Sequence, residues 1–207
     1  MPAERSGSPG KARDYRQTAR AEAAEVTRLR IVEAFSECWR RQWFDEITLE
    51  EVADRAEVSV RTVIRQFGGK EGLVGAFVTY VAPQVDARRT VTPGDIGEAI
   101  NRLVDNYEVV GDATIRALAQ EERLPALGPL IRKGRDGHRA IIGANFAPWL
   151  DPLPPADRPR AVDALVIVTD IYAWKLLRRD MGRSEKETRS MMCALVKAAL
   201  TEFAAGA

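Results

Sequence analysis

The spacing of apolar residues predicts two short helices between Thr48 and Phe67. Apolar positions recur at intervals of three and four in each, at Leu49, Val52, Ala53 and Ala56 and then at Val60, Val63, Ile64 and Phe67. This spacing gives each helix one apolar stripe, which we expect to be buried, and one polar face. Thr48 and Glu51 have the pattern of a capping box, and Ser59 is suited to cap the second helix. Two short helices joined by a tight turn form the helix-turn-helix pattern.

The polar face of the second helix is basic. It consists of Arg61, Thr62, Arg65 and Gln66, with no acidic residue among them. Arg61 and Arg65 lie one turn apart, and either side chain can fork onto O6 and N7 of guanine. Thr62 is suited to a phosphate or a base, whereas Val60 can either touch a thymine methyl group or pack in the apolar stripe. This face predicts that the protein reads DNA in the major groove.

The rest of the chain is also predicted to be helical. Residues 1–20 are rich in Gly, Ser, Pro and Arg and are predicted to form a disordered basic tail. Lys70 begins a fourth helix after Gly68 and Gly69. Further amphipathic helices are predicted at 21–42, at 96–111 with a stop near Gly111, around Ile115, at 130–147, at 160–181 and at 184–205. No run alternates with a period of two for long enough to indicate a sheet, so the predicted fold class is all-α, with about nine helices.

The overall charge gives little indication of a nucleic-acid partner. The chain has 31 basic and 30 acidic residues, a net charge of +1, and its 45% hydrophobic and 29% charged residues are typical of a globular protein. The local distribution is more informative, because Arg61, Arg65 and Lys70 stand in a stretch that contains no acidic residue.

Sequence patterns of catalysis, metal binding and membrane insertion are missing. The chain has one histidine, His138, and no CxxC or HExxH motif, so we expect no metal and no cofactor. Cys38 and Cys193 occupy apolar positions of predicted helices and are expected to be buried free thiols. The longest apolar run, 161–177, contains three charged residues and is too short to span a bilayer. The N-terminus lacks the apolar core of a secretory signal. We therefore expect a cytoplasmic protein that is not an enzyme.

A series of residues in the first part of the chain has the order found in a known family. The series is Ile31, Ala34, Phe35, Thr48, Val52, Ala53, Val58, Ser59, Arg61, Thr62, Val63, Phe67, Lys70, Glu71 and Leu73. This order, with its ending Phe-x-x-Lys-Glu-x-Leu, resembles the TetR family of transcriptional regulators over about residues 26–80. Glu57 departs from the family's usual Gly in the turn, and Ile64 departs from its usual phosphate-binding Tyr. A left-handed backbone at Glu57 would cost about 1 kcal/mol.

The resemblance implies a domain organisation and a set of DNA-binding residues. It implies a three-helix helix-turn-helix domain at 21–69, joined by helix four to a larger effector-binding and dimerisation domain at 70–207. Lys70 is expected to bind a phosphate, because free N–H groups at the start of a helix attract anions. The residues expected to bind DNA are Thr48, Ser59, Val60, Arg61, Thr62, Arg65, Gln66 and Lys70.

The second domain is expected to hold a dimer interface and a ligand pocket. The predicted helix at 160–181 is apolar nearly all round and needs cover on more than one side, which a second copy of the chain can supply. The resemblance implies an interface of two C-terminal helices from each subunit. The residues expected at this interface are Leu165, Val168, Tyr172, Met192, Leu195, Val196, Ala199 and Phe203. The residues expected to bind a ligand are Tyr107, Leu118, Glu122, His138, Ile142, Phe146, Asp170 and Trp174.

The leading hypothesis is a homodimeric repressor that binds an inverted-repeat operator on double-stranded DNA. A small apolar or aromatic effector would release it by favouring a conformation in which the recognition helices are badly spaced. One alternative is a DNA-binding dimer without a ligand switch, which a helical domain without a cavity would favour. Another is a helical small-molecule-binding protein or enzyme that no longer reads DNA, an interpretation favoured by Glu57 and Ile64.

Overall fold

Helices form all the regular structure in the described part of the chain. The computed structural model describes residues 9–205, and the side chains of residues 18–203. Its α-helices are α1 (Pro9–Arg41), α2 (Leu49–Arg55), α3 (Val60–Phe67), α4 (Lys70–Arg89), α5 (Ile96–Ala119), α6 (Gly128–Asn145), α7 (Ala147–Leu150), α8 (Arg158–Thr169), α9 (Ile171–Lys175) and α10 (Glu185–Ala205). A 3-10 turn (Pro125–Leu127) precedes α6, and a π-helical turn (Leu176–Asp180) extends α9. The all-α prediction is confirmed.

The first four helices share one apolar core. Phe35 and Trp39 of α1 pack against Phe77 of α4, with ring centroids 5.3 and 5.4 Å apart. Val52 of α2 and Val63 of α3 are fully buried in the same core. Helices of seven and eight residues are not stable by themselves. The long helices α1 and α4 therefore hold the two short ones in position.

A second core lies among α5, α6, α8, α9 and α10, with the fully buried Trp174 inside it. Helix α5 connects the two cores, because its C-terminal half packs against α1 and α4. The Arg116 guanidinium donates to the Arg40 carbonyl at 2.8 Å, and the Gln120 side-chain oxygen accepts from the Phe44 N–H at 3.0 Å. These bonds hold the end of α1 and the segment after it against α5.

The predicted tail at 1–20 is corrected in its second half. Residues 1–8 lie outside the described residues, but α1 begins at Pro9, so residues 9–20 are helical. This stretch contains several Ala, Arg and Gln residues, which are good helix formers, and it runs directly into the rest of α1.

The predicted helix end near Gly111 is wrong, because α5 continues through this position to Ala119. A Cβ atom at Gly111 would lie 2.4 Å from the Trp174 ring. The glycine therefore permits close contact between the ring and the α5 backbone, and it does not end the helix.

The predicted helix at 160–181 is divided at Asp170. This residue has an extended backbone, with φ −64° and ψ 155°, and its carboxylate accepts a hydrogen bond from the Tyr172 N–H at 2.9 Å. An aspartate favours this capping position over a helix interior, because its short side chain can replace the missing backbone acceptor. Helix α9 consequently begins anew at Ile171.

Candidate nucleic-acid interface and ligand cavity

Side-chain caps begin the two short helices. The Thr48 hydroxyl accepts from the Glu51 N–H at 3.1 Å, and the Ser59 hydroxyl accepts from the Thr62 N–H at 3.2 Å. The predicted capping box at Thr48 is only half formed, because the Glu51 carboxylate instead accepts from the Gln42 amide at 2.7 Å. That hydrogen bond lowers the pKa of Glu51. Both helix starts are nevertheless fixed, and they set the orientation of α3.

The turn between α2 and α3 places Glu57 in a left-handed conformation. Its φ is 51°, the one positive φ found at a non-glycine residue within the described part of the chain. The Glu57 N–H donates to the Asp54 carbonyl at 3.1 Å, and the Val58 N–H donates to the Ala53 carbonyl at 3.0 Å. These two bonds form a Schellman motif, in which the left-handed position usually belongs to glycine. The backbone at Glu57 is therefore left-handed, which is the conformation for which a steric cost is predicted.

The exposed face of α3 carries two free cations. Arg61 and Arg65 are both exposed, and neither lies within 4.0 Å of a carboxylate among the described side chains. Both guanidinium groups are thus available to phosphates or base edges. The Thr62 hydroxyl is 2.9 Å from the Ser59 hydroxyl, so these two polar groups already share a hydrogen bond.

The buried stripe predicted for α3 is wrong at one position. Ile64 is 48% exposed, whereas Val63 beside it is fully buried. Val60 and Phe67 are only partly buried, so Val63 is the one residue of this short helix that lies fully in the core. Ile64 consequently lies on the same exposed surface as the two arginines. The Gln66 side-chain oxygen is buried without a hydrogen-bond partner, so that amide oxygen points into the protein.

Lys70 stands at the start of α4, close to the end of α3. Its ammonium group lies over the Phe44 ring, 4.3 Å from the centroid, and burial lowers its pKa. Gly68 and Gly69 have φ values of 75° and 143°, which permit the tight turn that joins the two helices. The turn brings Lys70 beside α3, although its charge is partly covered by the aromatic ring.

A cavity of about 720 Å³ lies among α1, α4, α5, α6 and the start of α9. Its walls include apolar side chains of four helices, namely Trp39, Phe77, Val81, Val110, Ala113 and Ile131. Val109 and Tyr172 also line it and are 57% and 54% exposed, so the cavity has an open side. This volume is ordinary for a small-molecule site.

Four of the eight residues expected to bind a ligand line this cavity, and four do not. Those at the wall are Tyr107, Leu118, His138 and Asp170. Ile142, Phe146 and Trp174 instead pack in the second core, and Glu122 is exposed in the turn after α5. Ile142, Phe146 and Trp174 are at most 2% exposed, because the helices of the second core cover them on all sides.

Polar groups form a chain along one wall of the cavity. A guanidinium nitrogen of Arg89 contacts Nδ1 of His138, whose Nε2 is 3.2 Å from the Thr169 hydroxyl. The Thr169 hydroxyl donates to the Leu165 carbonyl at 2.6 Å. Burial and the nearby Arg89 charge lower the pKa of His138 to about 4. Burial also raises the pKa of Tyr107, whose hydroxyl donates to the Thr169 carbonyl at 3.0 Å.

Sequence reasoning missed two cavity residues with unpartnered polar atoms. Arg89 is 7% exposed, and its Nε has no hydrogen-bond partner. Asn106 is 2% exposed, and its side-chain oxygen has none. The only sequence signal was Arg89 at the end of the α4 stripe, and a basic residue in the last turn of a helix is usually exposed.

The residues expected at a dimer interface divide into inner and outer sets. Leu165, Met192 and Val196 are at most 1% exposed and belong to the second core of the chain itself. Val168, Ala199 and Phe203 are partly buried, whereas Tyr172 and Leu195 are 54% and 39% exposed. The outer face of these helices also carries other exposed apolar side chains, namely Ile167, Leu176 and Met191.

Within the described residues no helix could span a membrane, and no three His, Cys, Asp or Glu side chains are grouped as a metal site. Cys38 is a buried free thiol, as predicted, but Cys193 is only partly buried.

Solved structures of TetR-family regulators have the same fold. A TetR-family regulator from Mesorhizobium loti superposes with a TM-score of 0.65 at 21% identity, covering 86% of this chain and 96% of the other. A transcriptional regulator from Rhodococcus sp. gives a TM-score of 0.66 at 16% identity, with 84% and 95% covered. The repressor AlkX from Dietzia sp., implicated in the biodegradation of n-alkanes, gives 0.51 at 17% identity, with 85% and 96% covered.

The segment that contains the helix-turn-helix pattern matches a family model. Residues 31–77 match the family model described as bacterial regulatory proteins, tetR family. This match agrees with the resemblance to the TetR family found in the sequence. TetR-family proteins are DNA-binding regulators of transcription and not enzymes, which favours the DNA-binding hypothesis over the alternative of a helical enzyme. No curated protein matches the chain.

Proposed function

We propose that this protein is a regulator of the TetR type and acts as a homodimeric repressor, released from an inverted-repeat operator when a small molecule fills the cavity. The observation that carries the proposal is the placement of α4. The helix begins with Lys70 beside α3, and its residues from Phe77 to Arg89 form a wall of the cavity. A ligand that shifts this wall would therefore shift the position of the recognition helix.

The proposed DNA contacts centre on the exposed face of α3. Arg61 and Arg65 are suited to base edges or phosphates, because both are exposed and unpaired among the described side chains. Ser59 and Thr62 lie at the start of α3, where backbone N–H groups favour a phosphate. Thr48 is placed for a phosphate at the start of α2, and Lys70 at the start of α4. Val60 and Gln66 are expected to contribute less, because Val60 packs against the core and the Gln66 side-chain oxygen is buried.

The proposed dimer interface is the outer face of α8, α9 and α10. It comprises the exposed apolar side chains Ile167, Tyr172, Leu176, Met191 and Leu195, and it excludes the residues that fill the chain's own core. Dimerisation would place two recognition helices about 34–36 Å apart, the spacing of successive major grooves.

Selection of bound fragments from genomic DNA, followed by titration of the enriched duplex at several salt concentrations, tests the DNA-binding proposal. We expect an inverted repeat whose affinity falls steeply with salt, because phosphate contacts release counterions. Arg61→Ala and Arg65→Ala should each weaken binding by about 5- to 100-fold, the loss expected for a base or phosphate contact.

Arg160→Ala is the matched control, because Arg160 is an exposed arginine of α8 with a side chain 76% exposed. The proposal fails if no sequence is enriched, or if the variants at Arg61 and Arg65 bind as well as the variant at Arg160.

A further inference from the structure

The cavity contains a buried cation without an anion. Arg89 is 7% exposed, and no carboxylate of the described side chains lies within 4.0 Å of its guanidinium group. Its Nε has no hydrogen-bond partner. Burying a charge in this way is unfavourable unless a partner compensates for it.

The neighbouring histidine does not neutralise this charge. Nδ1 of His138 faces the Arg89 guanidinium and therefore accepts a hydrogen bond, which assigns the ring proton to Nε2. Nε2 in turn lies 3.2 Å from the Thr169 hydroxyl and 3.4 Å from the Val166 carbonyl. His138 is neutral above its pKa of about 4. It holds the guanidinium in place without supplying a negative charge.

Four carboxylates line the cavity, and none of them lies within 4.0 Å of the Arg89 guanidinium group. Asp170 accepts from the Tyr172 N–H and caps α9. Glu33 accepts from the Tyr80 hydroxyl at 3.1 Å, and Glu37 is 3.5 Å from Arg55. Asp86, on the turn before Arg89, is exposed and forms no ion pair among the described side chains.

We propose that the effector is an organic acid, with an apolar body in the cavity and a carboxylate bound by Arg89. Guanidinium groups bind carboxylates through two parallel hydrogen bonds, and Arg89 lines the cavity without an anionic partner among the described side chains. Phe77, Val110 and Ile131 line the cavity and suit the apolar body. The role of this acid as an effector rests on the proposed repressor function, whereas its binding does not.

Calorimetry on the full chain without DNA tests the assignment. The probes are straight-chain carboxylates from octanoate to dodecanoate and 2-naphthoate, each compared with its own primary amide. The amide retains the shape and loses the charge. We expect at least one acid to bind about 10-fold or more tightly than its amide, the usual advantage of a hydrogen bond to a charged group.

Arg89→Gln should reduce the affinity for that acid to the level of its amide. Arg88→Gln is the matched control, since Arg88 is the exposed neighbour that also lines the cavity, and it should retain the preference for the acid. The proposal is overturned if no acid of the panel binds more tightly than its amide. The comparison of acid with amide uses the unaltered protein, so it tests the proposal even if the Arg89 variant does not fold.

Release of operator DNA is measured separately with the acid that binds. An acid whose affinity depends on Arg89 but which leaves the operator complex intact would contradict the repressor switch and support the carboxylate site. Release by neutral amides as effectively as by acids would support the switch and contradict the carboxylate site.

Discussion

At the scale of single residues, Glu57 is the clearest local strain in the DNA-binding domain. It occupies the left-handed position of a Schellman motif with a φ of 51°. A side chain in this conformation costs about 1 kcal/mol relative to glycine. Its carboxylate is 3.8 Å from Arg30, but side-chain exposures of 83% and 45% leave that ion pair little stabilising effect. The contact does not offset the backbone cost.

Glu57→Gly should raise the free energy of unfolding by about 0.5–1 kcal/mol, because glycine adopts this backbone without steric cost. Urea denaturation measures the change. Glu57→Gln is the control, since it removes the charge and keeps the strain, and it should leave stability within about 0.5 kcal/mol of the unaltered protein. Equal stability of the two variants would contradict the explanation.

At the scale of helices, the junction of α3 and α4 depends on one glycine. A Cβ atom at Gly72 would lie 1.8 Å from the Phe67 carbonyl oxygen, so the first turn of α4 lies directly against the end of α3. A Cβ atom at Gly75, three residues further along α4, would have no atom within 4 Å. The close approach at Gly72 therefore fixes the angle at which the recognition helix leaves the domain.

Gly72→Ala should destabilise the protein by about 1–3 kcal/mol, the usual cost of overpacking, because the backbone must move to accommodate the methyl group. Operator affinity should fall as well, since α3 is displaced. Gly75→Ala is the matched helix substitution and should stabilise by about 0.5–1 kcal/mol. Denaturation and operator titration of both variants check this, and similar behaviour of the two would rule out the role of Gly72.

The sequence was sufficient for those elements that are determined by local rules. Ser59 caps α3, and Ser184 and Glu187, which have the spacing of a capping box, form a complete one before α10 with bonds of 2.8 and 3.2 Å. It failed at Gly111, where contact with Trp174 from a distant helix overrides the usual meaning of glycine. The failure at Asp170 is different, because a capping signal was present inside a long apolar pattern and the periodicity outweighed it.

The candidate site was predictable to different degrees in its two parts. The exposed face with Arg61 and Arg65 follows from one helix and its period, so its residues could be proposed from spacing. The cavity is lined by residues from five helices, and no local sequence pattern indicates which residues of those helices face it. Trp174 and Phe146 are expected at a pocket from the sequence but lie in the second core. No sequence pattern marks Arg89 as a residue of the cavity wall.

At the scale of the whole molecule, exposed apolar side chains concentrate on one surface of the described chain. On α9 and α10, Tyr172, Leu176, Met191 and Leu195 are 39–54% exposed, and on α8 Ile167 is 70% exposed. Exposed apolar side chains on helices that pack together are typical of a protein interface. The partner proposed for it is a second copy of the chain.

Leu195→Glu should convert the proposed dimer to a monomer, because it places a charge in a desolvated interface without disturbing the chain's own core. Sedimentation velocity measures the oligomeric state. Val26→Glu is the control, since Val26 is an exposed apolar residue of α1 outside this surface, at 65% exposure, and it should sediment as the unaltered protein does. A dimer that persists in the Leu195 variant would contradict the proposed interface.

Helix α4 can also be considered as a lever arm. Its 20 residues span about 30 Å, with the buried guanidinium of Arg89 at one end and Lys70 at the other. A tilt of about 5° around the Arg89 end would displace Lys70 by roughly 2.5 Å over that length. In a symmetric pair the two displacements add to about 5 Å, set against a groove spacing of about 34–36 Å. A small adjustment around the proposed contact between Arg89 and the effector would thus be enough to move the two recognition helices out of register with successive major grooves.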